Sequence, residues 1–210
     1  MQRSAIRTRA RRILKEYTPD FFQDDILNDW IDDGIYDIQR RTRCYEVIAT
    51  AINTVSGTVE YSNPTTYNST AIVTLGIKTI YTSNNETMSK GSIDSLDRLA
   101  CFGNIPQHFA EWGNKFKITP KPTAAYTINP CIFAGTGLSA DATDPHISIE
   151  YHSLVPLYVS YRGLQRKGDY AGADSLYKEY AVNLENIYQV DNRERESEKE
   201  VGSSKAIRAL

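Results

Sequence analysis

The stretch from Tyr151 to Tyr188 constrains the fold most, because it carries two complete helical patterns joined by a turn signal. Leu154, Leu157, Tyr158, Tyr161 and Leu164 recur at the i, i+3, i+4, i+7 spacing of an amphipathic helix. Pro156 suits that helix's first turn, where a missing N–H leaves no bond unmade. Arg166 and Lys167 suit its end, where carbonyl groups carry partial negative charge. Gly168 is a left-handed stop, and Asp169 is placed to cap the next helix. Ala173, Leu176, Tyr177, Tyr180, Leu184 and Ile187 then repeat the stripe, while Ala171, Gly172 and Ala173 permit close approach of a neighbour. The expectation is an αα-hairpin.

Seven of the chain's fourteen tyrosines lie in this stretch: Tyr151, Tyr158, Tyr161, Tyr170, Tyr177, Tyr180 and Tyr188. An apolar ring with a polar tip suits a boundary, so two readings stand. Either these residues rim the core of one domain, or several of them face another subunit.

The N-terminal segment supplies two more helices. Over residues 3 to 16, Ile6, Ala10, Ile13 and Leu14 share a face with Tyr17 just beyond, while Arg3, Arg7, Arg9, Arg11, Arg12 and Lys15 take the rest. Thr18, Pro19 and Asp20 break the chain. From Asp24 to Arg40 the buried stripe is Leu27, Ile31, Ile35 and Ile38, with Trp30 beside it. Seven aspartates and no Lys or Arg fall between Asp20 and Asp37. A basic helix thus precedes an acidic one. The two can pair within one subunit, or across copies of the protein, where complementary charge favours correct docking. Contact of the basic face with DNA phosphate is a third use of it, and a solvated face is the default for any charge run.

After Arg43 the texture changes to Val, Ile, Thr and Tyr. Residues 45–52, 55–61 and 71–82 read as strands, with turns at Ser56–Gly57 and Asn63–Pro64. Residues 82–91 read as a loop, and Ser92 as the cap of a short helix holding Ile93, Leu96 and Leu99. Gly113–Asn114 between β-prone runs predicts a hairpin. Residues 126–133 extend another strand, 134–145 form a loop, and Ile147 to Tyr151 alternate as a last strand. The tail from Asp191 to Leu210 has no apolar periodicity and carries five acidic and five basic residues. Such a segment cannot offset its own ordering entropy by burial, so a partner chain is its expected support.

The fold class is therefore α+β. Residues 1–43 hold N-terminal helices, 44–150 a small antiparallel β-rich insert, 151–190 a helical hairpin packed on the N-terminal helices, and 191–210 an extended C-terminal arm. The chain's 210 residues and net charge of −2 bring no global attraction to nucleic acid. No apolar run is long enough for a membrane span. Cys44, Cys101 and Cys131 are far apart, which speaks against a disulfide framework and a zinc site, and synthesis inside the cell is expected.

No catalytic constellation stands out. His108, His146 and His152 sit in separate segments, and His152, beside Ser153 and Glu150, reads as a satisfied structural histidine. Gly135–Thr136–Gly137 lacks the Lys-Ser/Thr of a phosphate loop. Asp141 and Asp144 are too few to define a Ca²⁺ site. No catalytic residue, cofactor or metal is expected.

The order of these parts resembles the head-to-tail connector adaptor proteins of tailed bacteriophages. The resemblance rests on the acidic helix with Trp30 and Ile31, on the Trp112-Gly-Asn-Lys-Phe-Lys-Ile-Thr-Pro-Lys-Pro hairpin, and on the Tyr-rich pair around Lys167-Gly-Asp-Tyr-Ala-Gly-Ala. It covers most of residues 1–190 as an arrangement of segments. It implies a virion structural protein, not an enzyme, assembled in the host cytoplasm and located at the neck. It implies a homo-oligomeric ring, typically of twelve copies, that docks on the portal protein, meets tail or neck proteins and passes double-stranded DNA without reading its sequence. The expected protein contacts are Arg3, Arg7 and Arg11, Asp25, Asp29 and Asp33, Tyr170 and Tyr177, and, in the arm, Arg193, Arg195, Lys205, Ile207 and Leu210. Alternatives are another tail or neck ring protein, or a helical-repeat-like protein-binding module. The latter is suggested by Gly168 to Tyr177, although that pattern occurs once and stacked repeats need about three copies. A hydrolase or sugar-binding protein built on the β-rich middle would need a deep pocket with convergent polar groups.

Overall fold

The computed structural model describes residues 1–16, 21–98, 104–138, 141 and 143–207, with side chains described through Arg193. Tyr17, the break at Thr18, Pro19 and Asp20, and Leu99, Cys101 and Leu210 lie outside the described residues. The helices are α1 (Arg3–Ile13), α2 (Asp24–Thr42), α3 (Ile93–Arg98), α4 (Leu154–Lys167) and α5 (Tyr170–Ile207). The strands are β1 (Glu46–Ile48), β2 (Ile52–Asn53), β3 (Glu60–Ser62), β4 (Thr66–Tyr67), β5 (Thr70–Ala71), β6 (Val73–Thr82), β7 (Ser89–Lys90), β8 (His108–Trp112), β9 (Lys115–Thr119) and β10 (Thr127–Gly135). Two compact units result: Met1–Thr42 together with Gly137–Leu210, and Arg43–Thr136.

The helical unit is organised around α4, which packs against α1, α2 and α5. Its C-cap Gly168 takes φ 82°, a left-handed value that a side chain disfavours. Asp169 then accepts the Gly172 N–H at 2.9 Å, capping α5 as its position predicts. These helices close the core: Ile6, Ala10, Leu27, Ile31, Ile35, Ile38, Val155, Val159 and Tyr180 are inaccessible to solvent, and Ala173 and Leu184 nearly so. α4 thus buries Val155 and Val159 more deeply than the expected Leu157, Tyr158, Tyr161 and Leu164, which are half-buried. α2 and α4 approach so closely at Gly34 that a Cβ there would lie 2.9 Å from Tyr158 Cδ1.

The second unit is β-rich. β10 is the spine of one sheet, with β6 antiparallel along one edge and β1 and β2 sharing the other. The expected strand over 45–52 is thus two short strands, and between them the Ala49 N–H reaches the Pro130 carbonyl at 2.8 Å. The second sheet runs β3-β9-β8-β7, with β7 parallel to β8. The β8–β9 hairpin turns at Gly113–Asn114, where Gly113 has the positive φ, 60°, that a two-residue hairpin turn requires. A further hairpin, β4–β5, turns on Asn68 and Ser69, both at positive φ. Ile77, Ile80, Phe109, Phe116, Ile118, Ile128 and Ile132 fill the core. Ser92 and Ser95 exchange side-chain bonds to each other's N–H at 3.0 and 3.2 Å, capping α3, and Leu96 is buried as expected.

Helical ends with a strand-rich middle make the fold α+β. Other local expectations also differ from the structure, beginning with the strand expected over 55–61, of which only Glu60 and Tyr61 fall in a strand, β3. Residues 82–91 are not all loop, because Ser89 and Lys90 find a parallel partner in β8 and Met88 is buried. Ile147 to Tyr151 is not a strand: Ile149–Ser153 form a 3-10 turn with Ile149 77% exposed. With no strand beside it, alternation alone gains nothing there. The segment expected as a C-terminal arm continues α5 as helix to Ile207. Its Glu, Lys and Arg residues are good helix formers and no Pro interrupts them, so the helix does not stop near residue 190.

Candidate assembly surfaces

The charges on α1 and α2 are largely matched within the chain. Arg3 donates to both Asp32 oxygens at 2.6 and 2.7 Å and to the Leu138 carbonyl at 2.7 Å, and Asp32 also accepts the Leu138 N–H at 2.8 Å. Arg7 forms a bidentate pair with Asp141 at 2.8 and 2.9 Å and donates to Asn28. That guanidinium holds the Asp141 carboxyl below the usual carboxylate range. Arg11 pairs with Asp24 at 2.7 Å and with Glu16 at 3.3 Å, and donates to the Phe22 carbonyl. Arg3 and Arg11 are buried, and Arg7 is half-buried. Asp25, Asp29 and Asp33 remain exposed: Asp25 accepts the Ile26 N–H, and Asp33 has an ion pair to Arg162 at 3.5 Å.

Most of the hairpin tyrosines turn inward. Tyr158 meets Tyr161 edge-on at 5.0 Å between ring centroids and Tyr180 at 5.5 Å, and Tyr161 meets Tyr177 at 5.2 Å. The Tyr180 hydroxyl donates to Asp37 at 2.8 Å, Arg41 binds Asp37 at 2.9 Å, and Arg41 also donates to the Tyr177 hydroxyl at 3.2 Å. Burial, with Asp37 adding to it, pushes the Tyr180 phenol well above its usual range, so it stays a donor. Tyr177 is thus half-buried in this cluster, whereas Tyr170 at the start of α5 is 71% exposed. Arg193 is exposed. Arg195, Lys205 and Ile207 lie on the helical arm, their side chains outside what is described.

His152 is buried. Its Nδ1 lies 2.5 Å from the Met1 ammonium, which can only donate, so Nε2 carries the proton and donates to the Ile147 carbonyl at 3.2 Å. Asp144 pairs with the same ammonium at 3.1 Å. Burial first, and the ammonium second, lower the His152 pKa below 6.5. The folded state therefore binds this proton less readily than the unfolded chain. The resulting stability is full above pH 6.5 and is lost as the pH falls below it toward the lower folded pKa. Urea midpoints measured from about pH 8 to about pH 5 should decline, and His152→Gln should flatten part of that slope. An identical slope in the variant would show that His152 is not its source.

Asp141 and Asp144, considered for Ca²⁺, are each committed to a cation of the chain itself. Among the described residues no group of three or more His, Cys, Asp or Glu is arranged to hold a metal ion. No described helix is long and apolar enough to cross a membrane.

Comparison with protein families finds a match to the family described as SU10 adaptor protein, over residues 1–202. The chain belongs to that family. It is a family of phage head-to-tail adaptors, so this adaptor is a structural protein of the virion. No curated protein matches the chain.

Two exposed features of the adaptor escaped the sequence patterns. Trp112, at the tip of the β8–β9 hairpin, is 67% exposed. Val182 and Val190 are exposed on α5, and Val190 borders a groove of about 280 Å³ with Glu150, Asn186, Ile187 and Asp191. Periodicity marks both segments as ordered elements but cannot tell which apolar side chain lacks a neighbour. Arg3 and Arg11 reverse the case: a charge run predicts solvent, and only the fold shows them buried against carboxylates.

Proposed function

We propose that this adaptor forms a ring that docks on the portal, joins it to the tail and surrounds the path of the DNA. The observation that carries the reading is the course of α5. Its backbone continues as helix to Ile207, past Leu184, its last buried residue among those described. From Arg193 to Ile207 that helix reaches about 20 Å further. A lone helix of that length and mixed charge is marginal in water, so a neighbouring chain is its natural support. Family membership makes the portal the first candidate for that neighbour. The β-rich unit, with Trp112 exposed at a hairpin tip, is then left for tail or neck components.

The test is docking by the full-length chain and by a chain lacking residues 191–210. Mixed with the portal of the same phage, the full-length protein should sediment as a large symmetric complex. The truncated protein should keep its near-ultraviolet circular dichroism and melting behaviour, lose only the helical signal of residues 191–207, and fail to bind. A full-length chain that stays monomeric beside the portal would count against the ring. Equal binding by the truncated chain would take the docking role away from α5.

A further inference from the structure

We propose that neighbouring copies join head to tail through the outer faces of α1 and α2, with Arg9, Arg12 and Lys15 of one subunit set against Asp25, Asp29 and Asp33 of the next. The proposal rests on the ring reading and names the contact that would close it.

The fold uses up one set of charges and leaves another over. Arg3, Arg7 and Arg11, spaced by four, line one side of α1 and are all taken up within the chain. Arg9 and Arg12 lie on the other side of the same helix, and Lys15 follows in the turn after it. All three are exposed, and among the described residues none has an ionic partner. α2 divides in the same way. Asp24 and Asp32 bridge to α1, while Asp25, Asp29 and Asp33, also spaced by four, share an exposed face. On that face Asp29 has no partner among the described residues, Asp25 holds only the next residue's N–H, and Asp33 has one long, exposed ion pair.

One unit thus presents two outward faces, one basic and one acidic, each on a rigid helix. The helices are held to each other by a separate set of charges, so joining the outer faces to another copy leaves those bridges intact and competes only with the exposed Asp33–Arg162 pair. A single copy cannot satisfy both faces, but a second copy satisfies one and a third the other. A contact that sets one face against a different face of the next copy is heterologous, and it closes into a ring when the rotation between copies closes. Electrostatic complementarity of this kind steers encounter and fixes register, and salt weakens it. Ala5 and Thr8, small and exposed on the same side of α1, leave room for close approach.

Charge exchange in the full-length chain tests this. Arg9→Glu with Arg12→Glu should weaken self-association, read by sedimentation velocity at low ionic strength, by at least about tenfold. Asp25→Lys with Asp29→Lys should do the same. The fourfold variant carries both exchanges and restores opposite charge across the contact, so it should recover assembly. An equimolar mixture of the two double variants should assemble where neither does alone. Melting curves establish that each variant is folded. If the wild-type chain self-associates and the double variants do so equally, the ring stands but this contact is wrong. The contact is equally wrong if the folded fourfold variant fails to recover. If Arg9→Glu with Arg12→Glu lowers only binding to DNA, the basic face serves phosphate and the proposal falls. A wild-type chain that remains monomeric at every concentration, with and without portal, overturns the contact and the ring together.

Discussion

Replacing Glu16 with alanine should lower the unfolding free energy by about 3–4 kcal/mol, the loss expected when one partner of a buried ion pair is removed. Glu16 is only 8% exposed, yet it carries several bonds at once. Its Oε1 accepts the N–H groups of Phe21 and Phe22 at 3.1 and 2.8 Å and the Arg11 guanidinium at 3.3 Å. Lys167 of α4 approaches its other oxygen at 3.8 Å. The substitution leaves two donors of the α1–α2 connection unpaired, and each such group costs about 1–3 kcal/mol when it is kept from water. Arg11 keeps Asp24 and the Phe22 carbonyl, which limits the damage. Glu16→Gln retains an acceptor for the Phe22 N–H and loses the charge, so it should cost about half as much. Urea unfolding followed by the fluorescence of Trp30 and Trp112 measures both variants. An alanine variant within about 0.5 kcal/mol of wild type would show that Glu16 does not hold the connection together.

Tyr180→Ala should cost about 3–5 kcal/mol, the range for truncating a buried aromatic ring. Tyr180 is inaccessible to solvent, its ring meets Tyr158 at 5.5 Å and Tyr177 at 6.2 Å, and its hydroxyl donates to Asp37. Tyr180→Phe keeps the ring and isolates that hydrogen bond, which is worth about 1.5–3 kcal/mol to a charged acceptor. The bond also carries a pH signature. With the folded pKa raised above the ordinary value of 10.0, its contribution is full below that pH and is lost as the pH rises above it. Phenylalanine at this position should abolish that part of the alkaline decline. A Tyr180→Phe variant with an unchanged alkaline profile would place the titrating group elsewhere.

The helical hairpin was legible because its signals are local. Gly168, Asp169 and the apolar stripe of α5 act within a turn or two of the chain and perform the roles their positions announce. α4 instead buries Val155, Val159, Ser160 and Gly163, while the expected Leu157, Tyr158, Tyr161 and Leu164 are half-buried, because α4 is packed by three helices at once. The Gly113–Asn114 turn was legible for the same reason. Weak strands were not. β7 exists because β8 lies beside it, and Ile147–Tyr151 fails to be a strand because nothing does. The helical-repeat-like reading of Gly168 to Tyr177 follows from real local similarity, but that hairpin packs on α1 and α2 of its own chain.

Among the interface candidates the division is the same. Sequence periodicity put Arg3, Arg7 and Arg11 on one line and Asp25, Asp29 and Asp33 on another, without saying which charges would meet. The folded chain brings the arginine line onto Asp24, Asp32, Asp141 and Glu16, and leaves the aspartate line facing outward. It also turns Tyr158, Tyr177 and Tyr180 toward one another while exposing Tyr170. The long helices, caps and tight turns were decided by the chain alone, since backbone conformation and short-range hydrogen bonds depend on neighbouring residues, whereas the weak strands waited on a partner. Which charges are spent inside the subunit and which remain for other subunits was decided by tertiary packing, since that depends on distances between segments far apart along the chain.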